Sequence, residues 1–178
     1  MCSSDLGATG GFVISIAPAY ECELPVCPPG TAYGQPYFYA MPVFSDPGCG
    51  AIIYDNYDIG EGSIASLTWW SSFEDEDFPE EAPAFRIAFY EDDNGAPGTL
   101  TAEYNVQPSI ANGKWSAAKL SAEIEPPCEL AFGWISIHDV DDVECTHCWL
   151  YSRDGDGVAY RFAEDAFEAL SHDFAFCP

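Results

Sequence analysis

The sequence predicts an all-β protein: an antiparallel β-sandwich of jelly-roll or immunoglobulin-like type, preceded by an N-terminal strand arm and a proline-rich connector. Three observations carry this reading. From about Cys49 onward, short runs rich in β-branched and aromatic residues follow one another, separated by Gly, Pro, Asn and Asp. Spacing of that kind belongs to sandwiches and barrels. Upstream, Phe12-Val13-Ile14-Ser15-Ile16-Ala17 alternates as a strand does, yet it is parted from the series by Pro25, Pro28, Pro29, Pro36, Pro42 and Pro47.

In chain order, Met1-Cys2-Ser3-Ser4-Asp5-Leu6 reads as the translation of a common sequencing-library adapter. Residues 1–6 are therefore expected to be an artefact of an environmental assembly, and the natural start is left unread. Residues 7–20 form the arm, with Phe12, Ile14 and Ile16 on one face and Val13, Ser15 and Ala17 on the other. Burying each of the three large side chains contributes about 1.5–3 kcal/mol. A lone strand cannot bury them, so some sheet must accept it. Residues 21–47 are the connector and 48–178 the sandwich.

Within the sandwich, strands are expected at residues 51–57, 63–71 and 85–90, the last with Phe85, Ile87 and Phe89 inward. A dense turn signal, Asp92-Asp93-Asn94-Gly95-Ala96-Pro97-Gly98, precedes a strand at 100–106. Strands at 114–120 and 130–138 follow. Residues 148–152 and 158–162 are spaced as a hairpin across Arg153-Asp154-Gly155-Asp156-Gly157. A short helix is read at 163–170, and a final strand at 172–177.

The chain has 178 residues, enough for one domain with a real core and an arm. Apolar residues make up 48% and aromatics 15%, which excludes a disordered acidic tail. Thirty acids against five bases give a formal charge of -25. That excludes a nucleic-acid binder, because phosphate contacts need Lys and Arg, and it opposes docking on anionic membranes. No run approaches the roughly 20 apolar residues of a membrane span, so membrane insertion is not expected.

With Cys2 set aside, Cys22, Cys27, Cys49, Cys128, Cys145, Cys148 and Cys177 are the candidate disulfide partners. So many in a short chain point to an oxidising compartment. Local pairs are the simplest expectation, Cys22 with Cys27 and Cys145 with Cys148. The remaining connectivity is open, and odd parity leaves one thiol, a bond to another chain, or a partner in the unread segment.

Four short motifs occur in a fixed order: Leu67-Thr68-Trp69-Trp70, Phe85 to Tyr90 with its Asn94-Gly95-Ala96-Pro97-Gly98 turn, Trp134-Ile135-Ser136-Ile137, and Asp173-Phe174-Ala175-Phe176. Over roughly residues 50–177 this order resembles a β-sandwich, jelly-roll-like domain recurrent in exported bacterial surface proteins. The resemblance implies an extracellular or cell-surface, non-catalytic domain. By layout alone, the arm and connector resemble fibre subunits that exchange a donor strand.

Cys145-Thr146-His147-Cys148 is one metal-like knuckle without a second, and zinc commonly needs four ligands, so a disulfide is the better reading. A thioredoxin-type motif needs a helix N-terminus that a β-rich chain lacks. Acidic residues gather at Glu74-Asp75-Glu76-Asp77, at Asp92-Asp93, at Asp139-Val140-Asp141-Asp142 and at Asp154-Gly155-Asp156. Asp92, Asp93, Asp154 and Asp156 are candidate calcium ligands, since calcium takes six to eight oxygens. No other cofactor is implied. No G-x-S-x-G elbow is present, and His138 and Asp139, adjacent on a strand, point to opposite faces, so an enzyme is not expected. Trp69, Trp70, Trp115 and Trp149 are candidate glycan-facing aromatics, because sugar platforms set exposed rings beside carboxylates. In Trp69-Trp70 one ring must face the core and the other outward.

These features make the first expectation a structural subunit of a surface fibre. It would polymerise with copies of itself when Phe12, Ile14 and Ile16 insert in the next protomer's sandwich. At ~3.3 Å per residue the arm is about 35 Å long, enough to span a small sandwich. The alternative is a secreted carbohydrate-binding or adhesion module that meets glycans. A further alternative is an inert spacer domain of a larger surface protein.

Overall fold

The computed structural model describes residues 26–37, 42–73, 81–112, 117–140 and 147–178. Phe12, Ile14 and Ile16 of the arm lie outside the described residues, as do Cys22, Trp115, Cys145 and the acidic run at 74–77. The described chain is built of strands and one 3-10 turn, Pro47–Cys49. In order the strands are β1 (Val43–Phe44), β2 (Ala51–Asp58), β3 (Ile64–Phe73), β4 (Phe85–Asp92), β5 (Pro97–Val106), β6 (Ser109–Asn112) and β7 (Ala118–Cys128). There follow β8 (Phe132–Asp139), β9 (His147–Trp149), β10 (Tyr151–Ser152), β11 (Ala159–Ala163), β12 (Ala166–Leu170), β13 (Asp173–Phe174) and β14 (Phe176–Cys177).

All pairings are antiparallel, in two main sheets. The first runs β1-β9-β3-β7-β6, with β14 also on β3; the second runs β12-β11-β2-β8-β4-β5. A third, two-stranded sheet joins β10 to β13. Within this order lie two four-stranded groups, β1-β9-β3-β7 and β2-β8-β4-β5. The chain crosses from sheet to sheet at β1–β2, β2–β3, β3–β4, β5–β6, β7–β8 and β8–β9. That is the double Greek-key winding of a jelly roll, so the expected fold class holds.

Alternation along each strand fills the space between the sheets. Ile53 and Tyr57 of β2, Phe85, Ile87 and Phe89 of β4, and Ile135 and Ile137 of β8 meet Leu67, Trp69 and Leu120 from the facing sheet. Trp69 packs edge-on against Phe85 at 5.3 Å, tying the two sheets together. Trp149 lies 5.2 Å from Phe174 and 5.8 Å from Phe176, and its Nε1 donates to Ala175 O at 3.0 Å. Trp70 faces the other side of β3, where Ala117, Leu150, Ala175 and Cys177 cover it. The opposite orientation of the Trp69-Trp70 rings is thus seen, and the outward one is covered.

The structure corrects several sequence expectations. Residues 148–152 and 158–162 do not pair: β9 joins β1 and β3, β10 joins β13, and β11 joins β2 and β12. The 153–157 loop carries the chain between sheets instead of closing a hairpin. Residues 163–170 are not helical. They complete a hairpin of β11 and β12 through Glu164 and Asp165, both left-handed at φ 52° and 62°, as tight hairpins require. Pairing of Phe162 opposite Phe167 overrides the helix propensity of Ala, Glu and Leu in that stretch. The strand expected at 114–120 begins at Ala118 and runs on to Cys128.

Cys27 bonds to Cys177 across 150 residues, not to Cys22. The partner is set by the neighbouring backbone: Gln35 bridges Phe176, which lays residues 26–37 along the C-terminal strand. Cys49 is also disulfide-bonded, whereas Cys128 and Cys148 are buried thiols. Because Cys148, in β9, carries a thiol, the local Cys145–Cys148 disulfide is corrected as well. Val43–Phe44 pair with β9, and Gln35 and Tyr37 bridge Phe176 and Ser152.

Candidate binding face

The outer surface of the second sheet is aromatic. Register brings Tyr160 of β11 opposite Tyr54 of β2, Tyr54 opposite Ser136 of β8, and Trp134 between Asn56 and Tyr90. Cross-strand partners share a face, so these side chains, together with Phe162 and Phe167 of the hairpin, form one contiguous layer. Ring centroids confirm it: Trp134–Tyr160 5.3 Å, Tyr54–Tyr90 5.2 Å, Tyr54–Phe167 5.4 Å and Phe162–Phe167 5.1 Å. Gly133 permits the close approach beneath them, since a Cβ there would lie 2.3 Å from Tyr90 O.

Trp134 and Tyr54 are the buried floor of this layer, at 1% and 8% exposure. Above and around them Phe167 is 46% exposed, Leu100 49% and Phe132 51%, with Tyr90, Tyr160 and Phe162 half-buried. Exposed apolar side chains gathered on one face make it the candidate site. Its polar border is oriented. Trp134 Nε1 donates to Asp92 Oδ1 at 2.8 Å, and Asn56 Nδ2 donates to Asp156 Oδ2 at 2.9 Å. Each carboxylate oxygen keeps acceptor capacity beyond one such bond. Flat rings flanked by carboxylates and an amide can stack on the C–H faces of a sugar and bond its hydroxyls.

The tryptophans chosen from the sequence are elsewhere. Trp69 and Trp149 are at 0% exposure in the core and Trp70 is at 3%, so as glycan-facing groups they are corrected; Trp115 lies outside the described residues. Trp69 and Trp149 sit on the inward-facing positions of their strands, where alternation turns them into the core. The aromatics of this face that the sequence does not single out are Tyr54, Tyr90, Tyr160, Phe162 and Phe167. The signal was present in Tyr160-Arg161-Phe162, where two rings alternate with a charge, and the helix reading of 163–170 hid Phe167.

The candidate calcium ligands do not converge. Asp92 sits beside Trp134, Asp93 Oδ1 accepts from Asn94 Nδ2, and Asp156 Oδ1 accepts from Val158 N. Asp154 donates its backbone N–H to Ser152 Oγ. Among the described residues, no group of three or more His, Cys, Asp or Glu is placed to hold a metal ion. His147, central to the zinc reading, is a satisfied core histidine. Its Nδ1 bonds Ser45 O at 2.9 Å, its Nε2 bonds Ser71 Oγ at 2.8 Å, and burial lowers its pKa to about 4.

A second polar cluster closes one end of the sandwich. Asp55 is wholly buried; its Oδ2 accepts from Phe174 N at 2.7 Å and its Oδ1 from Asn56 N at 3.0 Å. The Gln35 amide nitrogen donates to Asp55 Oδ2 at 2.8 Å and Phe174 O at 2.6 Å, and its oxygen accepts from Tyr33 Oη at 2.5 Å. Asp173 accepts from Gly157 N and Val158 N. Gly155, at φ 146°, passes so near that a Cβ would lie 2.4 Å from the Asp173 carboxyl carbon. Burial raises both Asp55 and Asp173 above the ordinary carboxylate range; the charges of Asp173 and Asp156 add to it at Asp55, and that of Asp156 adds to it at Asp173. The cluster fastens residues 33–35 to the C-terminal strands.

Comparison with family models, with curated proteins and with solved structures gives no match to this chain.

Proposed function

We propose that the protein is an extracellular, non-catalytic binding module that holds saccharide chains on the outer face of its second sheet. The aromatic layer of Tyr90, Tyr160, Phe162 and Phe167 over Trp134 carries this reading. The Cys27–Cys177 disulfide supports an oxidising compartment. No helix among the described residues is long and apolar enough to cross a membrane.

The test is affinity gel electrophoresis against a panel of soluble polysaccharides, comparing the intact protein with a Tyr160→Ala/Phe167→Ala double variant. Stacked rings contribute about 0.5–1.5 kcal/mol apiece. The variant should therefore bind about tenfold more weakly, at unchanged net charge and with its melting temperature within a few degrees. The reading fails if no polysaccharide, soluble or insoluble, holds the intact protein, or if both proteins are retarded equally.

A second reading, the fibre subunit, is favoured by the sheet edges. Among the described residues, β5 ends its sheet without an outer partner, and β6 covers β7 only from Ala118 to Ser121. The two edges flank an open cleft of about 830 Å³ lined by Leu67, Tyr104, Val106 and Ala122 beneath Glu103 and Glu123. Unpaired edges accept a further strand, and the alternating arm of residues 10–20 is one. Electron microscopy should show filaments that vanish when residues 1–20 are removed. Filaments that persist in the truncated protein, or never form in the intact one, remove this reading. If both assays fail, the inert spacer domain stands.

A further inference from the structure

We infer that the saccharide taken by the aromatic face is a cationic one, a polymer of hexosamines with free amino groups. This rests on the binding-module reading above and names the ligand class. The rings alone do not discriminate among sugars, because every pyranose has a C–H face. The border of the face does.

Its charged groups are almost all acidic. Asp92 lies under the edge of Trp134, Asp156 is held by Asn56, and Asp58 stands opposite Phe132 on the neighbouring strand. The bases on this sheet are already engaged with acids: Arg86 Nε is 3.8 Å from Glu103, and Arg161 is 3.9 Å from Glu168. The chain's formal charge of -25 adds a long-range field of the same sign. A uronic-acid or sulfated polymer meets repulsion here. A neutral polymer gains stacking and hydrogen bonds. A protonated amino sugar gains those and two more terms: attraction to the ring faces and charge-assisted bonds to the carboxylates. Asp58 and Asp156 are exposed, so their oxygens can reach a ligand lying across Tyr160 and Phe132.

The experiment measures binding to three insoluble matrices, chitosan, chitin and a pectate gel, at pH 5.5 and 0.5 M NaCl. At that ionic strength, adhesion driven only by distant charge is largely screened. The intact protein should bind chitosan at least tenfold tighter than chitin and should not bind pectate. The Tyr160→Ala/Phe167→Ala variant, whose charge is unchanged, should lose at least tenfold on chitosan. An Asp58→Asn/Asp156→Asn variant, which keeps the rings and Asp92, should lose most of the preference for chitosan over chitin. Equal binding of the intact protein to chitin and chitosan overturns the amino-sugar inference and leaves the binding module standing. Full chitosan binding by the ring variant reduces the effect to charge adhesion and also overturns it. Absence of binding to any of the three matrices, together with no hit in the soluble panel, overturns the underlying reading itself.

Discussion

Replacing Cys27 and Cys177 together by alanine is expected to destabilise the protein by about 2–5 kcal/mol. The bond closes a loop of 150 residues, nearly the whole sandwich. Cross-links over long loops remove the most conformational freedom from the unfolded chain. The native side of the argument agrees. Cys177 belongs to β14, beside Trp69 and Thr68 of β3, and its partner anchors the segment that delivers Tyr33 and Gln35 to the Asp55 cluster. Losing the bond frees both ends at once. Thermal unfolding of the double variant checks this, and the direct substitution is needed because reductant would also open the disulfide of Cys49. A melting temperature within about one degree of the unmodified protein would show that the staple is redundant.

Replacing Asp55 by asparagine is expected to change stability in a pH-dependent way, with a sign opposite to that of most buried carboxylates in ion pairs. Burial holds the Asp55 carboxyl well above its ordinary range, and the charges of Asp173 and Asp156 push the same way. Phe174 N and Asn56 N act in the other direction and do not overcome it. The folded protein therefore keeps a proton that the unfolded chain releases near pH 3.9. Stability from this group is full below that value and is lost as pH rises through the folded-state value. Asp173 behaves alike. His147 works oppositely: its folded value near 4 lies below the usual 6.5, so its contribution is present above 6.5 and lost as pH falls towards 4. Comparing Asp55→Asn with the unmodified protein cancels the histidine. The difference in melting temperature, variant minus unmodified, should rise from pH 4 to pH 8. A flat or falling difference would mean that Asp55 is ionised in the folded state across this range.

Much of the fold was legible because strand signals are local. The alternation of Phe85, Ile87 and Phe89, the Asp-Asn-Gly turn after them, and the run at Trp134-Ile135-Ser136-Ile137 each state their own conformation within a few residues. Residues 163–170 were misread for the complementary reason. Ala, Phe, Glu and Leu are tolerated in either state, and only the neighbouring edge strand β11 decides between them. The Cys27–Cys177 bond could not be read at all, since nothing local to either cysteine encodes a partner 150 residues away.

The outer aromatic face was hidden for a further reason. A tryptophan in sequence carries no mark of which side of its sheet is outside. Trp69 and Trp149 were taken by the core because strand alternation turns them inward, against Phe85 and Phe174. Tyr54, Tyr160 and Phe167 lie on three different strands, and they became a surface only when β2, β11 and β12 paired in register. The sequence by itself determined the all-β class, the positions of most strands and the strongly acidic charge, because composition and period act residue by residue. Only the tertiary structure decided which cysteines meet, which rings are buried and which stay exposed together, because those depend on strand order and register, and these are set by contacts between residues far apart in the chain.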